Sequence, residues 1–218
     1  MNYKIITDEN ILKDFIEWLP ELAPNEKFYI SLLGRRKYDP EVPVDKLSLK
    51  RFTTDKKYMF RKIKQLEVEL GAYTSDSVSI SQQALALYIS INPRDMEKAA
   101  KNLLIELAKK ITAPFDGYNC HSLALSEIQK ASGHRKYIGI DYDGLHPLQV
   151  RPQIENILNE DCLTYLKTNG GFHLLIEIAK INPKYTKTWY KNLSAISGAD
   201  VRGDILSPIP GTSQGMFT

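Results

Sequence analysis

The chain has little of several features that would place it in a specialised class of protein. Its two cysteines, Cys120 and Cys162, lie far apart and lack the short spacing of a zinc-binding motif. It contains no run of about 18 apolar residues and no basic amino-terminal segment followed by an apolar core. It also has no internal repeat and no low-complexity segment. We therefore expect buried free thiols rather than a structural zinc, no contact with a membrane, and a cytoplasmic location.

The overall charge and composition exclude few further classes of protein. Lys and Arg number 29 and Asp and Glu 26, which gives a formal net charge of +3. This excess is too small to indicate nucleic-acid binding by itself, so any basic surface has to be local. With 43% hydrophobic and 25% charged residues, the composition is that of an ordinary globular protein. A chain of 218 residues can form one large domain or two small lobes that share a cleft.

Hydrophobic periodicity predicts a mixed α+β chain. Helices are expected over residues 8–20, 54–71, 96–111, 122–130, 151–159 and 184–196. Strands are expected over residues 28–33, 84–91, 137–143, 163–167, 172–178 and 205–209. We expect a single domain, residues 1–218, with an α/β lobe over about residues 1–120 and an antiparallel-sheet lobe over about 121–218. Residues 207–218 have the pattern of an interrupted loop, so we expect the chain to be part of a longer protein.

The most informative stretch is the apolar segment 137–144, which carries two aspartates near its end. Because side chains alternate along a strand, Asp141 and Asp143 are expected on one face, about 6.5 Å apart at their α-carbons. Both carboxylates can then hold divalent metal ions, which lie about 3.5–4 Å apart in two-metal phosphoryl-transfer sites. A calcium loop is excluded because its sixth and twelfth positions, His146 and Pro152, are not glycine and glutamate.

A second candidate is His173, which begins a predicted strand directly after a glycine turn. The backbone amides of Gly170 and Gly171 have no side-chain cover and can approach an anion. A histidine and amides that face two metal-holding carboxylates suit a nucleoside triphosphate. The alternative is a histidine of the sheet that is hydrogen-bonded to a backbone carbonyl, and on this segment alone we favour that alternative.

Further polar groups follow near the end of the sequence. Asp200 and Asp204 can each supply a third carboxylate. The loop 210–214 offers a tight turn with the hydroxyl of Thr212 and the amide of Gln214, which suit a sugar or a base. Each group alone also fits ordinary turn chemistry. The order of aspartate pair, glycine-preceded histidine, acid and Pro-Gly-Thr loop is much less probable by chance than any single part.

Four segments together resemble the archaeo-eukaryotic primase superfamily, in particular the primase-polymerases of phages, plasmids and other mobile elements. They are Ile140–Asp143, Thr168–His173, Ala199–Asp200 and Ile209–Gly215. The resemblance implies a catalytic core in which an α/β lobe packs on an RRM-like lobe. It implies a DNA primase or DNA-directed polymerase that makes or extends primers on single-stranded DNA from NTPs or dNTPs. A helicase domain or helicase partner is a further expectation.

The resemblance also implies roles for individual residues. Asp141 and Asp143 match the first metal-binding motif, and Asp200 matches the acid of the third motif, with Asp204 as the rival assignment. His173 matches the histidine that contacts the phosphates of the incoming nucleotide. The expected cofactors are two Mg²⁺ or Mn²⁺ ions, held by Asp141, Asp143 and Asp200. The other residues expected to bind the nucleotide are Lys167, Thr168, Gly170, Gly171, Arg94, Thr212 and Gln214.

Other points of the interpretation stay open. The basic residues Arg35, Arg36 and Lys37, with Arg94, are expected to face template or nucleotide phosphates, but a solvated basic surface explains them equally well. The family has a serine where this chain has Gly171, so a hydroxyl contact is lost or comes from Thr168 instead.

Two other functions compete with that of a primase-polymerase. A catalytically silent module of replication or defence that binds nucleotide or nucleic acid is favoured by Gly171. A metal-dependent nuclease also needs clustered acids, but the sequence lacks an obvious general-base lysine or a histidine pair.

Overall fold

The chain folds as a mixed α+β protein in a computed structural model that describes residues 1–75, 77–185, 187–204 and 206–215. The predicted fold class is therefore confirmed at this level. The helices are α1 (Glu9–Trp18), α2 (Lys56–Lys64), α3 (Met96–Thr112), α4 (Cys120–Lys130), α5 (Pro147–Glu155) and α6 (Trp189–Ser194). The strands are β1 (Glu26–Arg35), β2 (Lys46–Thr54), β3 (Thr74–Ser75), β4 (Val78–Ser79), β5 (Leu85–Ser90), β6 (Arg94–Asp95), β7 (Tyr137–Asp143), β8 (Leu163–Thr168), β9 (Gly171–Glu177), β10 (Ala199–Gly203) and β11 (Leu206–Pro208).

The first sheet has the strand order β11-β5-β1-β2, and β6 pairs with one end of β1. Its strand pairs are antiparallel. β5 is buried from end to end, as predicted from its apolar sequence. In β1 the even positions Phe28, Ile30 and Leu32 join the hydrophobic core with side chains of α1 and α2. The odd positions of β1 therefore face the other side of this sheet.

The predicted cap of the first helix is confirmed, but the predicted end of the second helix is not. The Asp8 carboxylate caps α1 by accepting hydrogen bonds from the backbone N–H groups of Asn10 and Ile11. α2 ends at Lys64 with Gln65 at its C-cap, so the expected helix end at Gly71 is wrong.

The two helices of the second half also begin elsewhere than predicted. α5 begins at Pro147, whereas the predicted helix begins at residue 151, and Pro152 lies inside the helix. The stronger start signal is a capping box in which His146 accepts from the backbone and the Gln149 side chain bonds back to the N-cap. α6 begins only at Trp189, after a single 3₁₀ turn at residues 183–185.

The second sheet has the strand order β10-β7-β9-β8 and is antiparallel throughout its described pairs. With α5 after β7 and α6 after β9, it forms a βαββαβ unit. One face is apolar and packs on these helices through Ile140, Tyr142, Phe172 and Leu174. The other face contributes Tyr137, Leu166 and Leu175 to the core of the first sheet, so the two sheets share a hydrophobic contact.

After β10 the chain returns to the first sheet, where β11 pairs with β5. The loop behind β11 packs on the start of α1, since the Gly211 carbonyl accepts hydrogen bonds from the N–H groups of Thr7 and Asp8. A β-carbon at Gly211 would lie 2.5 Å from the Asp8 carbonyl oxygen, so only glycine fits there. Residues 206–215 thus belong with the first sheet, whereas the sequence predicts them in the second lobe. The predicted strand over 205–209 corresponds to β11, and Ile205 lies outside the described residues.

Both cysteines are free thiols, but only Cys162 is buried and Cys120 is exposed. The expectation of two buried thiols is therefore half right. Within the described ranges, none of the helices combines the length and the apolar character needed to cross a bilayer.

Candidate active site

A row of polar side chains crosses the second sheet. Asp200 on β10 lies opposite Asp141 on β7, and Asp141 lies opposite His173 on β9. Directly opposed residues of antiparallel strands point to the same face, so these three side chains share one face of the sheet. We call Asp200, Asp141 and His173 the polar row. It brings together three residues that are up to 59 positions apart in sequence, from Asp141 to Asp200.

A second polar line runs beside the first. Asp143 on β7 lies opposite Gly171 on β9, and Gly171 lies opposite Thr168 on β8. The strand alternation predicted for segment 137–143 is therefore confirmed, because Asp143 lies two residues from Asp141 on the same face.

The polar face borders a cavity of about 500 Å³ between the two sheets, which is within the size range of ligand sites. Its other wall is the first sheet, where Arg35, Lys46 and Arg51 line the cavity. We call these three residues the cationic wall. Carboxylates therefore face guanidinium and ammonium groups across the cavity. This charge arrangement suits an anionic ligand that binds together with a metal cation.

Lys37 lies between the cationic wall and the aspartate pair. A β-carbon built on Gly170 would be 3.8 Å from Lys37 Nζ and 3.5 Å from Asp143 Oδ1, so both groups border the β8–β9 turn. Burial lowers the pKa of Lys37 and the neighbouring Arg35 lowers it further, while the carboxylates of Asp143 and Asp141 oppose this shift. Lys37 thus places its side-chain nitrogen at the edge of the polar face, beside the β8–β9 turn.

Tyrosines hold Arg35 in place. Its Nη1 donates a hydrogen bond to the Tyr88 hydroxyl, and its guanidinium carbon lies 5.5 Å from the Tyr88 ring centroid and 5.9 Å from that of Tyr38. Burial raises the pKa of both phenols, so they remain neutral. Tyr38 also contacts Asn169 in the β8–β9 turn by a side-chain hydrogen bond. These contacts connect the basic segment after β1 with the glycine turn of the second sheet.

Arg36 lies between Arg35 and Lys37 in sequence, but unlike them it does not line the cavity. Its Nε donates a hydrogen bond to the Val42 carbonyl at 2.8 Å, and its Nη2 donates to the Pro43 carbonyl. The Arg36 guanidinium is therefore bound to the backbone of the loop that follows it, and the expectation that it faces template or nucleotide phosphates is not met in this structure.

His173 is almost fully buried at the base of the cavity, with 7% of its surface exposed. Its Nε2 lies 3.3 Å from Asp141 Oδ1, and its Nδ1 shares a hydrogen bond of 3.3 Å with Ser207 Oγ on β11. The backbone-carbonyl partner favoured from the turn segment alone is therefore replaced by a hydroxyl from the first sheet.

Gly171 is required by a close approach of two strands. Its φ angle is +155°, and a β-carbon at this position would lie 1.9 Å from the Tyr142 carbonyl oxygen. A serine therefore cannot occupy position 171 unless the backbone of β7 or β9 moves. Thr168 lies opposite Gly171 and lines the cavity, so its hydroxyl is on the polar face.

We expect Gly171→Ser to lower the free energy of unfolding by about 1–3 kcal/mol, because the added side chain overpacks the β7–β9 contact. Urea unfolding measures this difference. Gly170→Ser is the matched control, since a β-carbon at the neighbouring position meets no atom closer than 3.5 Å. Equal stability of the two variants would show that the strands relax around the serine.

Asp204 and Arg94 form a buried ion pair. Arg94 Nη1 lies 2.5 Å from Asp204 Oδ2, and the side chains are 4% and 11% exposed. Asp204 also accepts hydrogen bonds from the Ser132 hydroxyl and from Asn92 Nδ2. Although Asp204 borders the cavity, its carboxylate is thus committed to this network. Asp200 is the acid that lies in the polar row.

Of three further residues expected to bind the nucleotide, only Gln214 lines the cavity, whereas Thr212 and Lys167 do not. Gln214 is buried and lines the cavity. The Thr212 hydroxyl instead donates a hydrogen bond to the Ile209 carbonyl at 2.7 Å, which stabilises the loop itself. Lys167 lies opposite Phe172 on β9, so its side chain leaves β8 on the face opposite the polar row.

Several cavity residues are not predicted by the sequence analysis. They lie on β1, β2 and β5: Tyr29, Ser31, Leu33, Lys46, Ser48, Arg51 and Tyr88. The available signal is the alternation in β2, in which Leu47 and Leu49 are partly buried between the exposed Lys46, Ser48 and Lys50.

The donor chemistry of the polar face fits a hard divalent cation. Asp141 and Asp143 line the cavity, and carboxylate oxygens are the ligands that Mg²⁺ and Mn²⁺ prefer. The strand register adds Asp200 as a third carboxylate on the same face. In this structure, however, no three described His, Cys, Asp or Glu side chains are grouped closely enough to form a metal site.

Comparison with known proteins yields no relative. No protein-family model matches the chain, and no curated protein or solved structure matches it.

Proposed function

We propose that the chain is the catalytic core of a DNA primase-polymerase, which transfers nucleotides from NTPs or dNTPs to a primer strand on single-stranded DNA. The observation that carries the proposal is the register of the second sheet. It sets Asp200, Asp141 and His173 side by side on one face, and Asp141 and His173 line a cavity with a cationic opposite wall, whereas Asp200 is beside Asp141 outside the lining residues. The polar row contains one residue from each of three of the four segments that resemble the archaeo-eukaryotic primases.

The carboxylates of Asp141, Asp143 and Asp200 are the residues that would hold two Mg²⁺ or Mn²⁺ ions. Such ions, when bound, activate the 3′-hydroxyl and stabilise the charge on the α-phosphate and the leaving pyrophosphate. Asp141 is paired on both sides of β7, with Asp200 and with His173, whereas Asp143 is paired with Gly171 alone.

The triphosphate is bound by groups on both sides of the cavity. His173 donates from the polar row, while Lys37 and Arg35 neutralise phosphate oxygens from the first sheet. The cavity also contains uncharged surfaces for a sugar and base, including Tyr29, Tyr88 and Gln214. Arg51 and Lys46 extend the cationic wall along β2, where a template or primer backbone can pass.

The fold supports this assignment in its general form. The βαββαβ unit has the topology expected of an RRM-like lobe, and it packs on a separate sheet with its own helices. We propose that these correspond to the two lobes of a primase-polymerase core. The proposed helicase domain or partner acts on the same DNA and is part of this hypothesis.

Incubation of the protein with single-stranded DNA, labelled NTPs or dNTPs and Mg²⁺ or Mn²⁺, with and without a primer, tests the function. We expect labelled strands that lengthen with time in wild type and in Asp161→Asn, an exposed aspartate outside the cavity. We expect no strands in Asp141→Asn/Asp143→Asn.

Three outcomes contradict the proposal. Shortening of the DNA identifies a nuclease. Metal-dependent nucleotide binding without product identifies a silent binding module. Product formation that survives loss of both aspartates places the chemistry elsewhere.

A further inference from the structure

Ser207 has a buried hydroxyl group that contacts His173 of the proposed active site, although Ser207 belongs to the first sheet and His173 to the second. It lies on β11 of the first sheet and is completely buried, with 0% of its surface exposed. Its Oγ is 3.3 Å from Nδ1 of His173, while Nε2 of the same ring is 3.3 Å from Asp141 Oδ1. The imidazole is thus held between a hydroxyl of one sheet and a carboxylate of the other. None of the primase-like segments includes Ser207.

The chemistry of a hydroxyl explains what this contact does. The Asp141 carboxylate can only accept, so its contact with Nε2 favours a proton on that nitrogen, and the Ser207 O–H then donates to Nδ1 of a neutral ring. Nε2 is the nitrogen on the side of Asp141 and the cavity. If the ring is charged, the same oxygen accepts from Nδ1–H and Nε2 again carries a proton. Nε2 is therefore a hydrogen-bond donor in both states.

We propose that Ser207 is a positioning residue, which together with Asp141 fixes the tautomer and the ring orientation of His173, so that Nε2 carries a proton on the side of the cavity where the phosphates of the nucleotide would bind. This inference rests on the proposed function for the identity of the ligand. A partner of this kind is needed because a phosphate oxygen is an acceptor and can be bound only by a nitrogen that carries a proton. Since Ser207 belongs to β11, the orientation of His173 also depends on the docking of the first sheet.

The test compares Ser207→Ala with Ser207→Thr, which keeps a hydroxyl, and with Ser90→Ala. Ser90 is the matched control because it is also fully buried in the first sheet, where its hydroxyl accepts a hydrogen bond from Tyr29 N at 3.0 Å. Side-chain ¹⁵N spectra of the free proteins report the tautomer of His173, assigned by its absence in His173→Gln. Titration with dATP and Mg²⁺ reports affinity, and primer extension reports kcat and KM.

We expect wild type and Ser90→Ala to show the Nε2–H tautomer, and Ser207→Ala to show a mixture. Loss of the oriented donor should weaken dATP binding and raise KM about tenfold in Ser207→Ala, with kcat changed less than about threefold. Ser207→Thr should restore the tautomer and the affinity. Thermal unfolding of Ser207→Ala and Ser90→Ala separates this effect from general destabilisation.

The proposal is overturned if Ser207→Ala keeps the wild-type tautomer and dATP affinity, or if Ser90→Ala weakens binding as much. A wild-type protein that makes no product refutes the polymerase instead. The tautomer and the dATP titration would still decide the role of Ser207 in that case, because neither needs turnover.

Discussion

Asp200→Asn is expected to lower kcat/KM of nucleotide incorporation about a thousandfold, since loss of a carboxylate that holds the catalytic cations removes several kcal/mol of transition-state stabilisation. The midpoint of thermal unfolding should stay close to that of wild type, because asparagine has the same shape and Asp200 is only partly buried. Primer extension at saturating Mg²⁺ or Mn²⁺ measures the loss.

The control for Asp200→Asn is Asp161→Asn in the same half of the chain, which should retain wild-type activity. An Asp200→Asn variant with full activity would remove Asp200 from the catalytic set. The strand register would then have no catalytic meaning at this position, and the third carboxylate would have to be sought elsewhere.

Arg94→Met is expected to lower the free energy of unfolding by about 3–5 kcal/mol, because it leaves the buried Asp204 carboxylate without its cationic partner. Asp204→Leu should cost a similar amount, since it leaves the Arg94 guanidinium unpaired at 4% exposure. The double variant Arg94→Met/Asp204→Leu should be more stable than the sum of the two losses predicts. Urea unfolding of the four proteins measures this coupling.

The same series separates two roles for Arg94. If Arg94→Met kept wild-type stability but bound dATP more weakly, Arg94 would be a nucleotide contact, as the resemblance to primases implies. Lys98→Met is a suitable control, because it removes an exposed cation from the start of α3 near the same loop. It should change neither quantity.

Local patterns predicted much of the second sheet. The alternation in segment 137–143 gave the correct faces for Asp141 and Asp143, and the glycine turn gave the β8–β9 hairpin. Both patterns involve neighbours in sequence, so their physical basis lies within a few residues. The cap at Asp8 and the buried strand β5 are of the same kind.

The choice between Asp200 and Asp204 could not be made in this way. Residues four apart share a face in a regular strand, so the sequence treats the two acids alike. The structure distinguishes them through a bulge between Val201 and Gly203, which interrupts the alternation, and through Arg94, which lies 110 residues from Asp204. Neither the bulge nor the partner has a local signature.

β2 was missed for another reason. Its polar positions Lys46, Ser48 and Arg51 face the cavity, so the strand lacks the apolar character that usually identifies one. Lys46 and Arg51 of the cationic wall were therefore not predicted, because the polar residues that can bind a ligand also weaken the strand signal of β2.

The return of the chain to β11 has a consequence for how the protein reaches its folded state. Sequence from β7 to β10 intervenes between β5 and the strand that pairs with it, so this pair closes one of the longest loops in the molecule. During synthesis, all strands of the second sheet are made before β11, which is the last strand of the first sheet. The contact between Ser207 and His173 therefore cannot form until β11 has been synthesised, and a chain that ends before β11 would lack the hydroxyl partner of His173.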